Sequence, residues 1–242
     1  MPRQPILLAL DTATSVCSVA LAAGGAIDER SRDVGQRHTE HLLSMVDELL
    51  SAQSLSLGAC DAIAFGAGPG SFTGLRVACG VAQGLAYGID RPVIPIANLA
   101  AAGLDVFEQQ SGARTALIAQ DARMNEAYWG VYAMRDGRLV EIAAPALAEP
   151  GDLLGLAARY GADAIAGSAV QAFSDDLRGF SGLRLENPVG GARAIAKLAL
   201  DAWHAGATVD AAAAAPIYVR DRVALTVEER RARGGSTQRS DP

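Results

Sequence analysis

His38-Thr-Glu-His41 is the first group in this chain that could hold a metal. A zinc-binding helix carries two imidazoles at i and i+4 with a glutamate between them. Here they stand at i and i+3, and His204 is the only other histidine, so no third ligand is evident. An exposed or interface histidine pair is therefore preferred to a metalloprotease, and His204, close behind Trp203 at a helix end, suits the negative end of a dipole. Asp11, with Thr12 and Thr14, could hold phosphate or magnesium, and Asp121 stands in a similar turn. An aspartate that bonds its own backbone is also an ordinary turn residue, and that reading is preferred for both. The third candidate runs from Gly66 to Arg76 and contains Gly68, Pro69, Gly70, Ser71, Thr73 and Gly74. A glycine-rich turn feeding a helix offers bare N–H groups and a positive dipole end to an anion. Alternatively, its glycines only supply positive φ and close packing. Its order matches neither a Walker A loop nor G-x-G-x-x-G, and no Ser/His/Asp or Cys/His set is evident.

Elements must position these groups. Ala62 to Phe65 reads as a buried strand, followed by a helix from about Thr73 to Tyr87 capped by Ser71 or Thr73. Ile6 to Leu21 reads as strand, polar turn at Asp11 to Ser15, and strand, with a third strand through Ile27 to Arg30. Between Gln36 and Gln53 the spacing becomes helical, with Leu42, Met45 and Leu49 on one stripe and Leu43, Val46 and Leu50 on another. The helix after the glycine loop is apolar all round, through Leu75, Val77, Ala78, Val81, Ala82, Leu85 and Ala86, with a notch at Gly80 and Gly84. Such faces predict a patch that a partner covers. The alternative is that Pro216 to Val223 fold back over one helix.

With 242 residues, half of them hydrophobic, the chain can bury a sizeable core in one or two domains. Its net charge of −6 makes it a poor candidate for gripping nucleic acid unaided. Cys17, Cys60 and Cys79 are too few and too scattered for a disulfide framework and fit buried reduced thiols in a cytoplasmic protein. No apolar run is long enough to span a bilayer, and Ile6 to Leu10 is cut short by Asp11, so neither membrane nor secretory signal is expected.

A linker-like helix near Ala100 to Gln109 precedes a second round of the pattern. Ala116 to Asp121, Ala127 to Ala133 and Leu139 to Ala143 repeat three strands around an aspartate turn. A helix at Asp152 to Tyr160 follows, then Asp163-Ala-Ile-Ala-Gly-Ser168, which echoes Asp61-Ala-Ile-Ala-Phe-Gly66, and a helix over about Gly191 to His204. This order predicts an internal duplication: a two-domain α/β fold of the actin-like (ASKHA, ribonuclease H-like) kind with mixed sheets. The halves are expected at residues 1–100 and 101–226, with 227–242 a disordered tail. Arg220, Arg222, Arg230, Arg231, Arg233 and Arg239 make the end locally basic, although Glu228 and Glu229 favour a solvated tail over an RNA contact.

Several strings together resemble the TsaB (YeaZ) family: Leu10-Asp-Thr-Ala-Thr14, Cys17-Ser-Val-Ala-Leu21, Arg37-His-Thr-Glu-His41, Gly68-Pro-Gly-Ser-Phe-Thr-Gly-Leu-Arg76, Asp121-Ala-Arg123, Glu126-Ala-Tyr128 and Pro216-Ile-Tyr-Val-Arg220. The resemblance spans nearly the whole chain, and the glycine-rich string is its most specific part. It implies a non-catalytic scaffold or activating subunit in threonylcarbamoylation of adenosine 37 in transfer RNAs reading ANN codons. The implied partners are a TsaD-type catalytic subunit and a TsaE-type ATPase, with a homodimer when alone and transfer RNA met through the complex. ATP and metal would belong to the partner subunits. TsaD-type proteins follow their second core strand with Asn-His-x-x-x-His; here Asn98 is followed by Leu99 and Gly103 where the histidines would stand. Actin-like ATPases open with Asp-x-Gly, whereas this chain has Ala13 in that place and Arg123 after Asp121. These departures argue against a stand-alone actin-fold ATPase or kinase, or a glycoprotease-like hydrolase. The implied partner surface comprises His38, His41, Leu42, Met45, Leu49, Leu75, Ala78, Gly80, Val81, Gly84 and Leu85. Leu42→Asp or Gly84→Arg is expected to abolish association without unfolding the chain.

Overall fold

The computed structural model describes residues 3–186 and 190–220; the expected tail at 227–242 and the basic residues beyond Arg220 lie outside the described residues. The first sheet is built from β1 (Leu7–Asp11), β2 (Val16–Ala23), β3 (Ala26–Asp33), β4 (Ala62–Gly68) and β5 (Val93–Ala97), in the order β3-β2-β1-β4-β5. Every residue of β1 and β4 is buried, as befits central strands covered on both faces. Pro95 sits on edge strand β5, where a missing N–H costs least. The second sheet comprises β6 (Thr115–Asp121), β7 (Ala127–Arg135), β8 (Arg138–Ala148), β9 (Ala164–Ala166) and β10 (Leu183–Leu185), in the order β10-β9-β6-β7-β8.

The two sheets have one topology. β1 runs antiparallel to β2 and parallel to β4, and β6 stands in the same relation to β7 and β9. The echoed aspartates do the same work in each. Asp61 Oδ2 accepts the N–H of Ile6 at 2.8 Å, ahead of β1, and Asp163 accepts those of Arg114 and Thr115, at 2.9 and 3.2 Å, where β6 begins. The duplicated actin-like α/β fold is thus present down to a hydrogen bond.

Helices α1 (His38–Ala52) and α2 (Phe72–Gly88) cover one face of the first sheet. Its other face packs on α6 (Ala192–His204), through Ile195, Ala196 and Ala199. In the second half α4 (Leu153–Tyr160) and the single turn α5 (Ala169–Ala172) cover one face. Helix α3 (Asn98–Gln109) covers the other with Leu99, Ala102, Val106 and Phe107. The expected linker-like helix is therefore a core element: it is buried along most of its length, and Gly103 lets it close on the Tyr132 ring, where an added Cβ would stand 3.3 Å away. The chain also crosses back. α6 and the single helical turn Ala211–Ala213 pack on the first half, and Val209 bridges Val93, so residues expected to lie wholly with the second half complete the first.

Candidate functional site

The C-terminal ends of β1 and β4 and the start of α3 converge on a buried polar knot. Asp11 is 3% and Asn98 4% exposed. Asn98 Nδ2 donates to Asp11 Oδ1 at 2.9 Å, while Asn98 Oδ1 accepts the N–H of Gly68 at 2.7 Å. The same Asp11 oxygen accepts the N–H of Ala13 at 3.2 Å, the self-bonded turn geometry. Burial pushes the Asp11 carboxyl from its ordinary 3.8 up to about 6, against the opposing pull of the Asn98 and Ala13 hydrogen bonds. Thr12 is fully buried and donates through its hydroxyl to the carbonyl of Gly74 at 2.7 Å; Thr14, exposed, accepts from the N–H of Val16.

The glycine-rich loop closes directly over this knot. An added Cβ at Gly66 would fall 2.5 Å from Asp11 Oδ1, at Gly70 2.8 Å from the Ala13 Cβ, and at Gly74 1.9 Å from the Thr12 carbonyl. Ser71 donates its N–H to the Ala13 carbonyl at 2.8 Å, and its hydroxyl caps α2 by accepting from the N–H of Gly74 at 3.3 Å. These glycines serve close packing. Asp11 Oδ1 is taken by Asn98 and Ala13, and the amides of Gly68, Ser71 and Gly74 are taken by Asn98 Oδ1, the Ala13 carbonyl and the Ser71 hydroxyl, so these groups are engaged within the chain itself, where a phosphate or magnesium would have to displace them. Asp121, the duplicate of Asp11, accepts the N–H of Arg123 at 2.8 Å and pairs with its guanidinium at 3.2 Å.

The histidines do not assemble a metal site. His38 is 4% exposed, with burial lowering its pKa against a hydrogen bond to the Thr14 backbone; its Nδ1 and the Nε2 of His41 are buried without a partner. Among the described residues no three His, Cys, Asp or Glu side chains converge for a metal. Burial pushes the Cys17 and Cys60 thiols up to about 11.

The expected partner surface needs correction. Leu42, Met45 and Leu49 are fully buried against the first sheet, and Leu75 and Ala78 lie on the buried side of α2. The second stripe of α1 is buried too, at Val46 and Leu50, because sheet and α2 together wrap a wide face; Leu43 alone emerges, at 50% exposure. Leu42→Asp would therefore put a charge in the core. Gly80 and Gly84 are exposed and Val81 and Leu85 half-buried.

One flank of α2 is covered by the chain itself, the alternative weighed above. The Ala214 carbonyl accepts from Gln83 Nε2 at 2.9 Å, Ile217 donates its N–H to Ala67 at 2.7 Å, and Arg76 Nε donates to the Tyr218 hydroxyl at 3.1 Å. Two residues on, Arg220 pairs with Glu126 and lies 5.8 Å from the Tyr128 ring centroid, so this segment straps one half to the other. Phe72 and Tyr218 enter the sequence reading only inside longer strings. Asn98 drew notice only for the histidines missing beside it, and its role depends on strand ends 87 residues apart in sequence meeting.

These features define a class: a duplicated actin-like α/β protein whose phosphate-loop equivalents are closed by their own side chains. A family model described as TsaD, tRNA N6-adenosine threonylcarbamoyltransferase, matches residues 26–226. The tRNA threonylcarbamoyladenosine biosynthesis protein TsaB of Haemophilus influenzae is 51% identical over 123 residues, 51% of this chain and 52% of that protein. TsaB of Escherichia coli is 42% identical over 126 residues, 52% and 54% of the two chains. The match thus spans about half the length of these curated relatives. YeaZ from Pseudomonas aeruginosa superposes with a TM-score of 0.81 at 36% identity, covering 88% of this chain and 99% of that one. The chain belongs to the TsaB/YeaZ family.

Proposed function

We propose that this chain is a non-catalytic scaffold and activating subunit in threonylcarbamoyladenosine synthesis on transfer RNA, holding a TsaD-type catalytic subunit through the exposed face of α2. The observation that carries the reading is a seam of glycines. Gly80, Gly84 and Gly88 lie on one side of α2, and an added Cβ at each would meet nothing within 4 Å among the described residues. A mid-helix glycine costs about 1 kcal/mol against alanine. Nothing among the described residues requires that cost, whereas close approach of another helix backbone would. Tyr87, 80% exposed and three residues beyond Gly84 on the same helix, supplies apolar area beside the seam, and Leu43 of α1 is 50% exposed.

The reading assigns ATP and metal to the partner subunits, among them a TsaE-type ATPase, and places the chain in the cytoplasm. No helix among the described residues is long and apolar enough to cross a membrane. Alone, the same seam would serve a homodimer. The self-satisfied Asp11 and Asp121 loops support a subunit without turnover of its own over a stand-alone kinase, ATPase or hydrolase. The test is co-purification with a TsaD-type subunit. Gly84→Arg should fold and elute alone, and unchanged co-elution of this variant would reject the seam as the contact.

A further inference from the structure

Four of the eight exposed large apolar side chains among the described residues gather where the C-terminal strap crosses between the halves: Phe72 at 41%, Met124 at 61%, Ile217 at 40% and Tyr218 at 46% exposure. Two of them, Phe72 and Tyr218, flank a cation, and Met124 lies against Arg220 further along. The Arg76 guanidinium lies 3.9 Å from the Phe72 ring centroid and 6.0 Å from that of Tyr218, and the two rings are 5.8 Å apart. Tyr218 holds Nε of this arginine through its hydroxyl at 3.1 Å. Among the described residues no carboxylate lies within ion-pair distance of Arg76, so its terminal amino groups are a positioned fork without an anion. Further along the strap a second arginine, Arg220, paired with Glu126, lies over the ring of Tyr128 on β7.

We propose that Phe72, Arg76 and Tyr218 form a stacking platform for an unpaired nucleotide of RNA, with a base laid on the ring and guanidinium planes and its phosphate on the Arg76 fork. Single-stranded RNA is recognised by stacking on Phe, Tyr and Arg planes. A duplex is gripped through many phosphates at once, which a chain of net charge −6 is ill suited to do, while one or two nucleotides need only a local cation. The platform lies where the strap crosses the first turns of α2 and adjoins the N-terminal end of the glycine seam, Arg76 standing one turn before Gly80 and two before Gly84. The proposal rests on the reading of the chain as a subunit of a transfer RNA-modifying complex, and its readout is separate from that reading.

The experiment measures fluorescence anisotropy of labelled unmodified transfer RNA and of a short single-stranded oligonucleotide with the full chain at low salt. Phe72→Ala and Tyr218→Ala should each weaken binding roughly ten-fold, in line with one lost base stack. Tyr218→Phe should retain most of it. Arg76→Gln should reduce the slope of log affinity against log salt by about 0.7. Ultraviolet cross-linking of the wild-type chain, which involves no variant that might misfold, should map to residues 72–76 or 214–220. Gly84→Arg should lose the protein partner and keep the RNA. The proposal is overturned if wild-type protein binds no RNA, if cross-links fall elsewhere, if duplex competes as well as single strand, or if Phe72→Ala loses the protein partner while RNA binding is unchanged.

Discussion

Asp11→Asn separates a buried turn residue from a degenerate phosphate ligand. In the folded chain the carboxyl titrates at about 6 instead of 3.8, chiefly because burial penalises its charged form. Converted at about 1.4 kcal/mol per tenfold change in proton affinity, that gap amounts to about 3 kcal/mol. The raised value sets the sign. Below 3.8 Asp11 is neutral in both states and costs nothing. As pH rises towards 6 the unfolded chain releases the proton first, so the native state loses about 3 kcal/mol and the loss is complete above 6. Asparagine cannot ionise, and its amide oxygen can still accept from Asn98 Nδ2 and the N–H of Ala13, which the wild-type Oδ1 does at 2.9 and 3.2 Å. Asp11→Asn should therefore match wild type in urea melts near pH 4 and exceed it by about 3 kcal/mol at pH 7.5, a rise in Tm of very roughly 6–12 °C for a chain of this size. It should also leave partner binding intact. A stability difference that stays flat with pH, or a variant weaker at pH 7.5 than at pH 4, would refute the assignment of a buried, destabilising carboxylate.

Leu42 is fully buried, so Leu42→Ala should cost about 2–5 kcal/mol in denaturant melts. Leu42→Asp should yield unfolded or aggregated protein by circular dichroism, not a folded monomer freed from its partner. Two glycines of α2 should respond in opposite directions. Gly74→Ala drives a Cβ into the Thr12 carbonyl at 1.9 Å and should destabilise by about 1–3 kcal/mol, as overpacking does. Gly84→Ala meets open space and should stabilise the monomer by about 1 kcal/mol in thermal melts while weakening association by gel filtration with the partner.

Order and type of elements were legible because each leaves a one-dimensional trace. The run Ala62 to Phe65, the helical stripes of α1 and the paired Asp-Ala-Ile-Ala strings fall where the structure has β4, α1 and the starts of β4 and β9. What escaped was destination. The two stripes of α1 lie on an apolar face wider than one sheet needs, which from sequence reads as surplus for a partner; α2 and the sheet absorb both stripes except Leu43. The composition of α3 reads as a connector because its burial is supplied by a sheet formed later in the chain. The polar knot was half legible: Asp11 and Gly74 were marked as chemistry, yet the physical content of each is a contact with the other's loop, and no spacing rule encodes Thr12 against Gly74.

The two halves of the duplication also differ in the helix face they leave uncovered. The outer layer there is two long helices, His38–Ala52 and Phe72–Gly88, whereas the second half has Leu153–Tyr160 and the single turn Ala169–Ala172 in the same layer. A four-residue turn is spent covering its own sheet, and among the described residues it offers no long groove to another helix. A helix of 17 residues has a face to spare beyond the one that packs Ala78, Ala82 and Ala86 on the core. Glycine on that spare face weakens the isolated helix, and among the described residues nothing packs against a Cβ at Gly80 or Gly84; the proposed contact gives these positions a use as shape kept for a second backbone. The knot beneath makes this face a firm one: Asn98 ties Asp11 to Gly68, and the glycine loop then delivers Ser71 to cap α2. Residues laid out like those of a phosphate site thus serve to fix the angle at which α2 leaves the glycine loop.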